Sequence, residues 1–229
     1  LVEAARGGAP GFEWMTTSWE GGTFDRAVDD AEPFSGPLAE DTEYAQILYT
    51  SGTTSAPKGC VHTHRGVSSI APNVTANIHF TGDDRFLMAM PIWHASPLNN
   101  WLLTMMFVGA TVVLMRDYDP AEFFPLMERE KITSVFGAPI AFIGPVQMAK
   151  AKGESPKDYD LSAADKLIYG AAPLGEDMAR MLIDAYGTQN FYQVYGMTET
   201  GPAGAVLKPA DQVRKAGSIG KGGMLGVDL

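Results

Sequence analysis

Residues 47–59, Ile47-Leu48-Tyr49-Thr50-Ser51-Gly52-Thr53-Thr54-Ser55-Ala56-Pro57-Lys58-Gly59, pass from an apolar approach into hydroxyls, glycines and one lysine. Backbone N–H groups and short hydroxyls wrap an anion closely only where large side chains are absent, and a lysine adds a point charge. The stretch reads as a phosphate-gripping loop at the end of a strand. It is not a Walker loop. Counted from Gly52, that pattern needs glycine at 57 and serine or threonine at 59, where the chain has Pro57 and Gly59. A loop of this composition is by itself most simply a solvated connector, so its meaning rests on the company it keeps.

The second chemical stretch is Tyr192-Gln193-Val194-Tyr195-Gly196-Met197-Thr198-Glu199-Thr200-Gly201. An aromatic followed by glycine at a strand end offers a flat face to a base. A hydroxyl and a carboxylate just beyond suit a phosphate and its magnesium, a hard cation that takes oxygen ligands. Two weaker stretches lie between, Met90-Pro91-Ile92-Trp93-His94-Ala95-Ser96-Pro97-Leu98-Asn99 and Gly170-Ala171-Ala172-Pro173-Leu174. Other residues take bland readings. Cys60 is a small buried residue beside the loop, with nothing adjacent to activate it. His62 and His64 have metal-like spacing but no third ligand nearby. Asp83-Asp84 after Gly82 is a turn before a strand.

The elements that must position these stretches alternate. Strands are predicted over Tyr44–Tyr49, Arg85–Met90, Ala110–Met115 (buried), Ile132–Phe136, Lys166–Tyr169 and Asn190–Tyr195. Helices are predicted over Arg65–His79, Pro97–Val108, Pro120–Lys131, Pro139–Lys152 and Glu176–Tyr186. Strands separated by such helices imply right-handed crossovers, hence an α/β fold whose largely parallel sheet is flanked by helices. Loops 50–59, 91–97, 170–174 and 195–201 all follow predicted strands, so they can converge on one sheet edge, where such folds bind ligands. Residues 1–43, rich in Gly, Pro and acid, read as a connector or the end of a preceding subdomain, with one short helix around Thr23–Ala31. Residues 44–229 read as the α/β core.

The order T-S-G-T-T-x-x-P-K-G, then Pro-x-x-His, then Gly-Ala-Ala-Pro-Leu, then Tyr-Gly-x-Thr-Glu resembles the adenylate-forming family over residues 44–221, most closely its acyl-CoA synthetases. The resemblance implies the nucleotide- and acyl-binding core of that family's large domain. It also implies roles. Thr50, Ser51, Gly52, Thr53, Thr54 and Lys58 would hold the β- and γ-phosphates. Ala171, Ala172 and Pro173 on one side and Tyr195 with Gly196 on the other would sandwich adenine, with Gln193 at its edge. Thr198 would meet the α-phosphate and Glu199 would ligate Mg²⁺. Trp93, His94 and Gly170 would flank the acyl pocket, His94 as a gate rather than a base. The implied reaction is attack of a carboxylate on the α-phosphorus of ATP, giving acyl-adenylate and pyrophosphate, then capture by the thiol of CoA. Ser55 stands where the family usually has glycine.

Amino-acid-activating members resemble one another in a Phe-Asp segment at the position of His94, whose aspartate pairs with the substrate amine. This chain has no carboxylate there, and an unpaired ammonium in an apolar pocket is costly. The apolar surroundings (Trp93, Pro97, Leu98, Trp101, Leu102, Phe136, Ile140) favour a fatty acid, with an aryl acid as the alternative within the family. From a different class, the alternative is a non-catalytic nucleotide-binding module or regulatory fragment. The family's ribose-binding aspartate, hinge and C-terminal lysine are expected beyond Leu229, as is its small domain. The chain, which starts without Met, then reads as an excerpt unable to complete turnover alone.

With 17 Lys and Arg against 27 Asp and Glu, the net charge of −10 disfavours nucleic acid or an anionic membrane as partner. Residues 1–46 carry −8 of it and the remainder −2. The single cysteine excludes an internal disulfide and fits a reducing compartment. The most lipid-like run, Trp101–Met115, is interrupted by Gly109 and shorter than the roughly 20 residues of a span. The expected setting is cytoplasmic, with a small-molecule carboxylic acid, ATP and CoA as partners and homodimerisation left open.

Overall fold

A computed structural model describes residues 21–50, 56–221 and 223–228. They fall into two units, 1–39 and 40–229. In the first, helix α1 (Thr23–Asp29) is closed at its start by the Asp25 carboxylate, which accepts from Gly22 N–H.

The second unit opens with an antiparallel hairpin, β1 (Tyr44–Thr50) and β2 (Lys58–Thr63), in which Thr50 faces Lys58. This corrects the placement of residues 44–49 among crossover-linked parallel strands. The hairpin is a sheet of its own. Strand β2 was not anticipated, because Pro57, Lys58 and Gly59 mask its later Cys60-Val61-His62-Thr63 as loop. Helices α2 (His64–Ser68) and α3 (Ile70–Ile78) follow where one continuous helix was expected. Pro72 explains the break: it has no N–H to donate one turn back, and its ring crowds the carbonyl there.

The six-stranded sheet has the order β4-β3-β5-β6-β7-β8. Strands β3 (Arg85–Met88), β4 (Thr111–Leu114), β5 (Ser134–Gly137), β6 (Lys166–Tyr169) and β7 (Phe191–Tyr195) are parallel, and the unanticipated β8 (Ala205–Leu207) runs antiparallel to β7. Strand β4 is not the buried strand expected; it is an edge strand paired only with β3, and Leu114 is 68% exposed. Between β3 and β4 run a π-helical stretch, Ser96–Leu102, and α4 (Leu103–Val108). The other crossovers use α5 (Phe123–Arg129), α6 (Pro139–Ala151) and α7 (Glu176–Tyr186).

The period of two along each strand divides the core. Leu87, Val135, Leu167, Tyr169 and Phe191 point to one face, packed against Phe123, Phe142 and Tyr186 of α5, α6 and α7. Phe86, Met88, Phe136 and Ile168 point to the other, packed against Ile70, Val74, Trp101 and Met105. Burial on both faces is why these strands read as continuous apolar runs.

The amino edge of the sheet is closed by a buried ion pair. Lys166 Nζ, at the start of β6, lies 3.0 Å from Asp84 Oδ1 and 2.8 Å from Asp165 Oδ2. Asp84, 3% exposed, also accepts from Thr133 Oγ1 at 2.7 Å and from Thr81 N–H at 2.8 Å. The Lys166 ammonium sits 5.7 Å from the centre of the Phe80 ring. Burial pulls the pKa of Lys166 down, but its bonds to Asp165 and Asp84 outweigh burial, and the net shift is upward. One clasp therefore joins β3, β5 and β6.

Removing one partner leaves the other charge buried, so Lys166→Met is expected to cost about 3–5 kcal/mol in urea unfolding. The folded pKa being raised, the contribution is complete below the ordinary lysine value of 10.5 and is lost as pH rises beyond it. A cost under about 1 kcal/mol would show that the clasp is incidental.

Candidate functional site

Because β3, β6 and β7 are parallel, their carboxyl ends deliver Pro91–His94, Gly170–Leu174 and Tyr195–Gly201 to one edge of the sheet. Gly170 extends the ladder, its N–H donating to Gly137 O at 3.2 Å. A side chain at Gly170 would meet Val194 O at 2.9 Å, so β6 and β7 approach closely there. Ala171 is exposed and holds a φ of 66°, a left-handed conformation that costs a residue with a Cβ about 1–2 kcal/mol. Such strain concentrates at functional turns. Ala172 and Pro173 are exposed beside it.

The turn after β7 is built by its own side chains. Thr200 Oγ1 accepts from Met197 N–H at 3.2 Å and donates to Met197 O at 3.0 Å, shaping a 3₁₀ turn over Thr198–Thr200. Gly196 is obligatory, since a Cβ there would stand 1.6 Å from Pro202 O. Tyr195 and Glu199 are exposed and Thr198 is half-buried. The Glu199 carboxylate has no hydrogen bond or ion pair among the described residues. An exposed carboxylate with no cationic partner among the described residues, next in sequence to a threonine, offers hard oxygen of the kind Mg²⁺ takes.

The hairpin comes to the same place. Strand β2 neighbours the 198–200 turn, and the Glu199 carboxylate acts on the Cys60 thiol. Cys60 is only partly buried, not the buried residue expected, but desolvation first, and then Glu199, push its thiol above the ordinary pKa, so it is not activated. His62 is accounted for by Cys60, with its Nε2 3.3 Å from Sγ. No cluster of three metal-ligating side chains exists among the described residues. Thr50 is half-buried at the end of β1 and Lys58 is exposed at the start of β2, without an ion pair among the described residues. Ser51, Gly52, Thr53 and Thr54, with Ser55, lie outside the described residues.

Trp93 is 75% exposed with its ring 6.3 Å from that of His94, which is also exposed. Trp101 belongs elsewhere. It is 1% exposed, stacked 4.9 Å from Phe136, and its Nε1–H donates to Ser96 Oγ at 3.0 Å. Trp101 and Phe136 are core residues, not pocket lining. Gln193 also turns inward, its Oε1 3.4 Å from the Tyr169 hydroxyl. That hydroxyl, pushed to about 12 by burial, donates to Gln212 Oε1 at 2.7 Å. Sequence reasoning missed Tyr169, Gln212 and Asn99. The signal available for Asn99 was the Asn99-Asn100 pair inside a mainly apolar helical stretch.

Cavities of about 520 and 620 Å³ lie near the amino ends of β6 and β7, bordered by Tyr159, Asp165 and Asn190 and by Arg180, Asp184 and Gln189 respectively. Neither includes a sequence-predicted site residue, and the carboxyl edge is where parallel sheets bind ligands. No helix among the described residues is long and apolar enough to cross a membrane.

The family model for "AMP-binding enzyme" matches residues 11–227. Among curated relatives, 4-coumarate–CoA ligase 1 of Solanum tuberosum is 37% identical over 160 residues, 68% of this chain and 28% of the relative. Feruloyl-CoA synthase of an Amycolatopsis species is 35% identical over 194 residues, 85% of this chain and 38% of the relative. The chain thus spans well under half the length of either. Among solved structures, the inhibitor-bound N-terminal domain of FACL13 from Mycobacterium tuberculosis superposes with a TM-score of 0.77 at 27% identity, covering 88% of this chain and 49% of that one. ATP-bound MatB from Rhodopseudomonas palustris gives 0.77 at 26%, covering 92% and 40%. The mixed α/β architecture is that of the adenylate-forming large domain.

The nearness of Glu199 to Cys60, the one cysteine of this chain, has a direct readout. Glu199→Gln removes a charge that raises the thiol pKa, so modification by an aromatic disulfide near pH 8 is expected to accelerate about two- to fivefold. An unchanged rate would place Glu199 away from β2.

Proposed function

The chain belongs to the AMP-binding enzyme family, and from that premise we propose that its parent protein is an acid–thiol ligase. It activates a carboxylic acid with ATP and passes the acyl group to CoA. The observation that carries this reading is the common edge: the turns after β3, β6 and β7 leave the sheet on one side, and the hairpin bearing Lys58 reaches the Glu199 turn there.

The chemistry asks little of acids and bases. The substrate carboxylate is already a nucleophile; its oxygen bonds to the α-phosphorus as the α–β anhydride breaks and pyrophosphate leaves. The thiol sulfur of CoA then attacks the acyl carbon and AMP leaves. Catalysis rests on orientation and on neutralising phosphate charge. Lys58 and the 50–54 loop grip the outer phosphates, Thr198 orients the α-phosphate, and Glu199 holds Mg²⁺. When bound, that cation screens the triphosphate charge against the incoming carboxylate. Tyr195 and Gly196 on one side and Ala171, Ala172 and Pro173 on the other bracket the adenine, and Gln193 stands behind them, anchored to Tyr169. Trp93, His94 and Gly170 border the acid.

An apolar acid follows from Trp93 and His94 and from the lack of a carboxylate to meet an amine. The relatives named for 4-coumarate and feruloyl weigh toward an aryl acid, and the fatty acyl-CoA synthetase of Mycobacterium tuberculosis among the structural neighbours toward a fatty acid. ATP and CoA, together with the lone cysteine, support a cytoplasmic setting.

The test is carboxylate-dependent ATP–pyrophosphate exchange by the full parent polypeptide with aliphatic, aryl and amino acids. Exchange is expected with an aliphatic or aryl acid and not with amino acids. Glu199→Ala is expected to lower it by about 100-fold or more. A parent that binds Mg²⁺–ATP but exchanges with no acid would instead be a non-catalytic nucleotide-binding module.

A further inference from the structure

Among the described residues, one side chain from elsewhere in the fold hydrogen-bonds the 197–201 turn. Asn99 Nδ2 donates to Gly201 O at 3.1 Å, across 102 residues of chain. Asn99 is 0% exposed, and its Oδ1 has no hydrogen-bond partner among the described residues. Burying an amide that is half unsatisfied is unfavourable, and an apolar residue would fill the same space at less cost. A polar side chain held there against that cost has a task, and its one bond names the object: the backbone carbonyl that ends the turn bearing Thr198 and Glu199.

The local geometry sharpens this. Gly201 has a φ of 96°, and a Cβ on it would come within 2.9 Å of Ile70 Cδ1. The end of the turn is thus confined by α3 on one side and bonded by Asn99 on the other. Asn99 itself lies five residues after His94, in the π-helical stretch Ser96–Leu102. Leu98 N–H still reaches back four residues to His94 O at 3.2 Å, but Leu103 N–H reaches back five, to Leu98 O. Pro97, which has no N–H to donate, leaves the winding free to widen, and π turns of this kind recur at functional sites. Widening changes the angular position of each later side chain. That angular change gives one short segment two ends with different duties: Trp93 and His94 stay exposed at the sheet edge while Asn99 faces inward to Gly201.

We propose that Asn99 is a positioning residue, a buried strut that fixes Thr198 and Glu199 from the acid-gate side of the site. The claim rests on the ligase reading for the roles of Thr198 and Glu199, but the strut itself is a feature of the fold. A positioning role differs from simple packing in what it moves. If Asn99 only fills space, its replacement lowers the amount of folded protein and leaves binding constants alone. If it sets the turn, the nucleotide and Mg²⁺ constants move while the acid constant does not.

The experiment uses the full parent polypeptide. Asn99→Leu keeps the volume without the donor. Asn99→Ala adds no bulk and serves where the leucine variant does not fold. Circular dichroism selects the folded variant. In ATP–pyrophosphate exchange, the KM for ATP and the Mg²⁺ concentration at half-maximal rate are expected to rise about tenfold, with the KM for the acid within twofold of the parent's. ATP and Mg²⁺ constants within twofold of the parent's in a folded variant would overturn the proposal. Should the parent exchange with no acid, the ligase reading falls by itself, and Asn99 is judged by direct binding of Mg²⁺–ATP on the same tenfold and twofold criteria. A parent that neither exchanges nor binds Mg²⁺–ATP overturns both.

Discussion

A parallel ladder can be built only with crossovers, and crossovers send every strand out of the sheet on the same side. This constraint organises the molecule. Strands β3, β5, β6 and β7 stand side by side, about 4.8 Å apart, so turns separated by up to a hundred residues become neighbours at one edge. The opposite edge has the complementary duty. There Asp84, Thr133 and Lys166 tie three strands together at their starts, in a buried cluster that has no place in the chemistry. Alignment is fixed at one end of the strands, and the turns assigned to nucleotide and acid leave at the other.

The carboxyl edge has local costs of its own. The carboxyl edge holds Ala171 in a left-handed conformation, the crowded Gly196, the confined Gly201 and the half-satisfied Asn99. Each costs stability locally, and each lies within a few residues of a group assigned to nucleotide or acid. The core beneath is conventional by comparison: the Phe86, Trp101 and Phe136 stack on one face and the Phe123, Phe142 and Tyr186 cluster on the other. The proposed reaction, which needs orientation more than proton transfer, is well matched to short turns anchored on such a base.

Much of this was legible in the sequence, because it depends on local pattern. The helices Glu176–Tyr186 and Pro139–Ala151 have proline or acid at their starts, and the mainly apolar stretches at 166–169 and 191–195 mark strands of the sheet. What was missed depends on pairing. Strand β2 is recognisable only through its partner β1, and β8 through β7. Pro72 divides a helix whose periodicity looks continuous, and β4 is apolar yet lies at an edge. Asp84 looked like a turn residue because its ion-pair partner lies 82 positions away. Trp101 looked like pocket lining because spacing cannot tell which face of a helix meets the core. Of the chemical residues, Tyr195, Thr198, Glu199 and His94 stand at the sheet edge where their strands deliver them, whereas the bond of Asn99 to Gly201 spans 102 positions and no local pattern points to it.

The central claim is that Lys58 of the hairpin and Glu199 of the β7 turn serve one nucleotide. The most direct measurement is Mg²⁺–ATP affinity of the full parent polypeptide, of Lys58→Ala, of Glu199→Ala and of the double variant. Two groups acting on one bound triphosphate should each weaken binding about tenfold or more, and the double loss should fall short of the sum of the two. Parent-like affinity in both single variants would contradict the account.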